Sequence, residues 1–190
     1  MLKNLFKIDI WSKDIKIDNS SLITLLNKIQ KTHPSVVKSN ISGYQSNNID
    51  LSQPELQPLL TILDKEVLEY TKTLSLKGPL TCRSIWGNIN EYKDTNKFHL
   101  HPGASISGVY YIDVPKDGGN IEFMNPAKNV LSYDWNEVEE LNSYNGLYYY
   151  MPSITGRLYL FPSWLEHAVL PNMSHSKRYS LSFNYTTSNS

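Results

Sequence analysis

Between Asp18 and Thr32 the apolar residues Leu22, Leu25, Leu26 and Ile29 recur at three- and four-residue spacing, the pattern of one buried helix face. Asn19, Ser20 and Ser21 offer N-cap side chains, and Pro34 ends the run. A longer periodic segment runs from Pro54 to about Leu74, with Leu56, Leu59, Leu60, Leu63, Val67 and Leu68 on one stripe and Gly78-Pro79 as its stop. The stretch from Ser42 to Asn48 lacks helical period and is rich in turn formers, which suits a loop or a short edge strand.

After Pro79 the helical period disappears, and short β-branched and aromatic runs alternate with Gly, Pro, Asn and Asp. The candidate strands are Thr81 to Asn90, Lys97 to His101, Ser105 to Val114, Asn120 to Met124, Leu147 to Met151, Gly156 to Phe161, His167 to Leu170 and Arg178 to Thr186. Short strands so closely spaced predict a closed or double-sheet β core, of which the jelly roll is the common version. The insertion from Pro126 to Gly146, containing Trp135 to Leu141, is longer than a hairpin loop and has the length of a lid or binding loop. No repeat or linker divides the chain. It reads as one domain over residues 1–190, with a helical support region at 1–78 and the β core at 79–187.

Composition narrows the chemistry. Basic and acidic residues number 18 each, so no bulk charge draws the chain to nucleic acid or to a membrane surface. The 13 tyrosines and the abundance of Asn and Ser weigh against a helical bundle. A lone cysteine, Cys82, can form neither an internal disulfide nor a thiolate metal site, and reads as a small buried apolar side chain. Any metal must therefore be held by His, Asp or Glu, in a reducing compartment. No apolar stretch has the length of a membrane span and the amino terminus has no signal-peptide core, so the expected location is the cytoplasm.

Three of the five histidines, His99, His101 and His167, fall in the candidate strands. In a strand, positions i and i+2 project to one face, so His99-Leu100-His101 can offer two imidazoles to one ion. His167 follows a second apolar strand, so two strand ends that carry histidines can converge. In the alternating run from Arg178 to Tyr185, Arg178, Ser180 and Ser182 share one face. An arginine on an inward polar face calls for an anion, and a guanidinium binds carboxylate through two parallel hydrogen bonds with a neighbouring hydroxyl as helper. No phosphate-cradling glycine loop is present, and Ser163 lacks the context of a nucleophile elbow.

The ordered set formed by Trp86 to Asn90, His99 to Ile112, Gly118 to Phe123, Gly156 to Asn172 and Arg178 to Asn184 resembles the 2-oxoglutarate- and Fe(II)-dependent oxygenases, more narrowly a group found in marine bacteria and their phages. The stretch from Ser42 to Ser46 resembles that group's amino-terminal motif. The resemblance covers about two thirds of the chain, and its specificity lies in the order of motifs that are individually weak.

What the resemblance implies is a mainly β chain folded as a double-stranded β-helix, a cupin-like jelly roll with two or so amino-terminal helices packed on the major sheet. It implies Fe(II) and 2-oxoglutarate as cofactor and cosubstrate, with hydroxylation of a substrate and release of succinate and CO2. His99, His101 and His167 match the metal ligands, Arg178 matches the anchor of the cosubstrate's tail carboxylate, and Ser180 matches its hydroxyl helper. Tyr110 and Asn88 are further candidates for touching the cosubstrate. The departure lies at His101, because the family at large has Asp or Glu there. Three registers follow: a three-histidine face, preferred because His99 and His101 precede the Pro102-Gly103 turn on one strand face; a halogenase-like His101-Pro102-Gly103 motif; or a carboxylate recruited from Asp94, Asp113 or Glu122. The halogenase-type enzyme and a non-catalytic jelly-roll binding or structural module are the rival functions. The expected partner is a small molecule or a protein side chain as substrate, in a bacterial or phage-infected cell, with the oligomeric state left open.

Overall fold

The computed structural model describes residues 6–134 and 137–187. Helix α1 (Ser20–Thr32) and helix α2 (Gln57–Leu74), the latter entered through a 3₁₀ turn at Pro54–Leu56, form where the periodicity places them. At the start of α1 the capping differs from the simple expectation. Asp18 accepts from the Ser20 N–H (3.0 Å), which frees Asn19 for a tertiary task. Its amide donates to the Ile112 carbonyl (2.7 Å) and accepts from the Tyr110 hydroxyl (2.9 Å), tying the helix start to the sheet below. Helix α2 ends before Gly78, at Ser75, whose φ of 52° closes the helix in the left-handed region. Leu68 faces solvent, half exposed, whereas Glu66, Tyr70 and Thr71 are buried. The buried face is thus rotated slightly from the leucine stripe, because the amino-terminal strand packs there. Trp11 and Lys13 both reach Glu66, at 3.1 and 2.6 Å.

Eleven strands pair antiparallel in two sheets: β1 (Trp11–Asp14), β2 (Asn40–Ile41), β3 (Tyr44–Gln45), β4 (Leu80–Asn90), β5 (Thr95–His99), β6 (Ile106–Asp113), β7 (Ile121–Met124), β8 (Tyr148–Met151), β9 (Arg157–Pro162), β10 (His167–Val169) and β11 (Arg178–Thr187). The major sheet has the order β1-β9-β6-β11-β4-β3, and the minor sheet β2-β5-β10-β7-β8. Both sheets therefore take strands from the segment before residue 79. The Ser42–Asn48 stretch supplies β3 and the Gly43 turn, where φ is +72° and a side chain would run into Asn90 and Asp94. A short helix α3 (Lys128–Asp134) lies within the long insertion, whose Trp135 and Asn136 are outside the described residues. No helix among the described residues is long and apolar enough to cross a membrane.

The alternation of β11 organises the molecule. Tyr179, Leu181, Phe183 and Tyr185 face the helices and join Leu22, Leu26, Leu59, Leu63 and Ile85 in the larger core. Each fully buried leucine there contributes roughly 1.5–3 kcal/mol. Gly87 on β4 lets α1 lie against the sheet, since a Cβ would stand 2.3 Å from Leu26 Cδ2. The opposite face of β11, with Arg178, Ser180, Ser182 and Asn184, looks into the space between the sheets, beside a smaller core of Val109, Tyr111, Ile121, Phe123 and Phe161.

Candidate active site

A cavity of about 740 Å³ opens between the sheets. On its minor-sheet side His167 (β10) is the cross-strand partner of His99 (β5), which brings those rings to 4.3 Å. β5 stops at His99, so His101 is not a strand residue. It lies in the turn that follows, its N–H donating to the Ser163 carbonyl (3.0 Å), and its ring centre stands 5.1 Å from each of the other two. One nitrogen from each of the three rings lies within 4.8 Å of the others.

Hydrogen bonding selects the tautomer of all three. His99 Nδ1 donates to the Lys97 carbonyl (2.9 Å), His167 Nδ1 to the Leu165 carbonyl (2.9 Å) and His101 Nδ1 to Asn184 Oδ1 (2.7 Å). With Nδ1 protonated, each Nε2 keeps its lone pair for a metal. Burial disfavours the imidazolium in all three and pulls their pKa values down, most strongly for His167, where His99 adds to the effect. The rings are thus neutral ligands at ordinary pH.

Among the described residues no carboxylate joins them. Asp94 is turned to the Glu91 N–H (2.7 Å), Asp113 is exposed, and Glu122 pairs across the sheet with Ala168, on the face away from His167. Gly103 does not line the cavity; it sits in an open turn at φ +82°. The donor set brought together is the one made of His99, His101 and His167.

Arg178 occupies the floor of the cavity and is only 1 % exposed. Its Nη1 donates to the Gly118 carbonyl and, at 3.3 Å each, to those of Gly119 and Leu170. Its Nη2 is buried with no partner, and so is the hydroxyl of Tyr111 beside it. Burial lowers the arginine's pKa while Tyr111 and Asp94 oppose that, and burial raises the pKa of Tyr111, which keeps its proton. A buried guanidinium nitrogen and a buried hydroxyl, each without an acceptor and the first on a cation, are costly, so the cavity calls for an anion at this point. That is the fit expected for a small dicarboxylate whose other end meets a metal at the histidines.

Ser180 and Asn88 line the same cavity, and Asn88 donates to Ser182 Oγ (3.1 Å). Tyr110 does not. It points into the helix-side core, bonded to Asn19, because it pairs across the sheet with Leu181, whereas Tyr111 pairs with Ser180. The cosubstrate candidate on β6 is therefore Tyr111. Asn184 also escaped the sequence reading. The alternation of β11 puts it on Arg178's face, but its contact with His101 depends on a loop conformation that alternation does not describe.

A family model described as "Putative 2OG-Fe(II) oxygenase" matches residues 84–184, more than half of the chain. Among solved structures, a Pseudomonas putida prolyl-4-hydroxylase is similar, with a TM-score of 0.66 and 15 % identity over 94 % of this chain and 92 % of that one. The non-heme alpha ketoglutarate dependent epimerase SnoN from nogalamycin biosynthesis follows, with a TM-score of 0.65 and 13 % identity over 90 % and 72 % of the two chains. HygX from Streptomyces hygroscopicus, with nickel and 2-oxoglutarate bound, has a TM-score of 0.62 and 10 % identity over 94 % and 83 %. No curated protein sequence matches. The fold is the jelly roll of these enzymes. The chain belongs to the 2-oxoglutarate- and Fe(II)-dependent oxygenase family, and Fe(II) and 2-oxoglutarate are its cofactors.

Proposed function

We propose that this oxygenase hydroxylates its substrate, with Fe(II) held by the three-histidine set His99, His101 and His167 and 2-oxoglutarate anchored by Arg178, Tyr111 and Ser180. The observation that carries the reading is the pair of unpartnered buried donors, Arg178 Nη2 and Tyr111 Oη, in the cavity that the three clustered histidines also line. When bound, iron, 2-oxoglutarate and dioxygen supply the oxidising power to put one oxygen atom into a substrate C–H bond and the other into succinate, with loss of CO2.

The chain's own residues prepare that chemistry. Arg178, held on one side by three carbonyls, presents its remaining N–H groups to the tail carboxylate and so fixes the cosubstrate in one pose. Tyr111 adds a neutral donor to the same carboxylate. Phe161, Val109 and Ile121 line the cavity with apolar surface, which keeps water from an oxidising centre. Gln45 and Ser46 from the amino-terminal segment line it too, so that segment helps to shape the substrate space. The substrate is a small molecule or a protein side chain.

The test is succinate formation from 2-oxoglutarate under air with Fe(II), together with the visible charge-transfer band on anaerobic addition of both. Wild-type protein is expected to show both signals, and His167→Ala and Arg178→Ala to lose them. Absence of both from wild type would sink the assignment.

A further inference from the structure

The cavity of this neutral chain is lined by Lys38, Lys97 and Arg178 and by no acidic residue among those described. Arg178 has a role at the cosubstrate's tail. Lys38 and Lys97 have none, and neither makes an ion pair among the described residues. Both are exposed at the cavity mouth, and the backbone beneath them is locked. The Lys97 N–H donates to the Ser39 carbonyl (2.9 Å), Asn96 Nδ2 donates to Ser39 Oγ (3.0 Å), and Asn40 pairs with Asn96 between β2 and β5. The segment leading into β2 and the middle of β5 therefore each place one lysine on the lining of the same cavity.

The three-histidine set sharpens the consequence. With neutral imidazoles, the two positive charges of Fe(II) are matched only by the 2-oxoglutarate dianion, and the positive charges of Arg178, Lys38 and Lys97 remain. A concave site lined by one sign of charge concentrates ligands of the other. We propose that the substrate carries an anionic group, a carboxylate or a phosphate, received by Lys38 and Lys97 at the cavity mouth. The proposal rests on the oxygenase reading of the same site. Gln45, Asn47 and Asn48 line the wall and supply neutral hydrogen-bonding groups for the rest of such a polar molecule.

Full-length protein loaded anaerobically with Fe(II) and saturating 2-oxoglutarate is titrated calorimetrically with methyl phosphate and with N-acetylglycine. Uncharged trimethyl phosphate and N-acetylglycinamide serve as matched controls. At least one anion is expected to bind about tenfold or more tightly than its control, with the advantage shrinking as salt rises. Preference for methyl phosphate assigns the group as phosphate, and the reverse preference assigns carboxylate. The advantage should vanish in Lys38→Gln/Lys97→Gln and become a penalty in Lys38→Glu/Lys97→Glu. Equal uptake of anion and control, no uptake of either, or discrimination that survives in the double variants overturns the proposal. The charge-transfer band of the same samples reports separately on the oxygenase reading, since it forms whether or not the mouth selects anions.

Discussion

His101 Nδ1 stands 2.7 Å from Asn184 Oδ1, a contact that joins the turn after β5 to the last strand of the major sheet. The amide oxygen is itself held, because the Ser107 hydroxyl donates to it (2.7 Å) and Asn184 Nδ2 reaches Ser84 Oγ (3.3 Å). Since His101 lies outside the strand ladder, this contact fixes both its tautomer and its aim. Asn184→Ala should weaken metal binding by about 10–100-fold, the usual effect of losing a partner behind a ligating histidine. Asn184→Asp keeps an acceptor and should retain most of the affinity. Titration of the metal-free protein with Co(II), followed by its visible spectrum, reads both outcomes.

Neighbouring tyrosines on β6 should behave oppositely. Tyr110→Phe removes a hydrogen bond to Asn19 and should lower stability by about 1 kcal/mol while 2-oxoglutarate binding persists. Tyr111→Phe removes a hydroxyl without a protein partner and should leave stability unchanged or raised. It should weaken 2-oxoglutarate binding by about tenfold, the value of a hydrogen bond to a charged group. Urea unfolding and anaerobic 2-oxoglutarate titration separate the two.

Gly119 has φ +80°, and a Cβ there would lie 2.3 Å from the Leu170 carbonyl oxygen and 2.9 Å from Arg178 Nη1. Gly119→Ala should displace the carbonyls that orient the guanidinium and raise the KM for 2-oxoglutarate by about tenfold or more. Gly103 has a similar φ of +82°, but open space around it. Gly103→Ala should cost about 1–2 kcal/mol of stability through the backbone alone and leave that KM in place.

The histidines also set a pH response in the metal-free protein. His167 is 4 % exposed, and burial holds its pKa well below the ordinary 6.5, with His99 pushing it lower. Beyond about pH 7.5, well above 6.5, the ring is neutral in both folded and unfolded chains and contributes no slope. As pH falls through that value, the unfolded chain takes up a proton that the folded chain refuses, so stability declines. Between about pH 7.5 and about pH 5.5 the unfolding free energy should drop, with His167 contributing up to about 1.4 kcal/mol per pH unit. His167→Gln should flatten the decline, and saturating metal should steepen the loss because protons then compete with the ion. Denaturant melts across that range check the sign.

Much of the architecture was legible because periodicity and burial coincide. Leu22, Leu25 and Leu26 mark the buried face of α1, and the alternation of Arg178, Ser180 and Ser182 against Tyr179, Leu181 and Phe183 gives the two faces of β11. The short strands β1 and β2 were not legible as strands, and β3 only as one of two options, a loop or a short edge strand, since segments of two to four residues have too little pattern to show a period. Leu68 was misplaced because Glu66 and Tyr70 are drawn inward by partners on β1 and the preceding segment, at Trp11, Lys13 and Asp9.

By itself the sequence determined the chemical inventory and its order: a lone cysteine that leaves metal binding to nitrogen and oxygen, three histidines in candidate strands, and an arginine heading an alternating strand. Such properties are local, and side-chain type and spacing carry them. Only the tertiary structure decided which groups meet. A one-residue difference in cross-strand partner put Tyr111 rather than Tyr110 beside Arg178, because neighbours along a strand point to opposite faces. It likewise joined His101 to Asn184 and brought Lys38 and Lys97 to the lining of one cavity, placements of residues far apart in the chain that sheet register and loop packing fix.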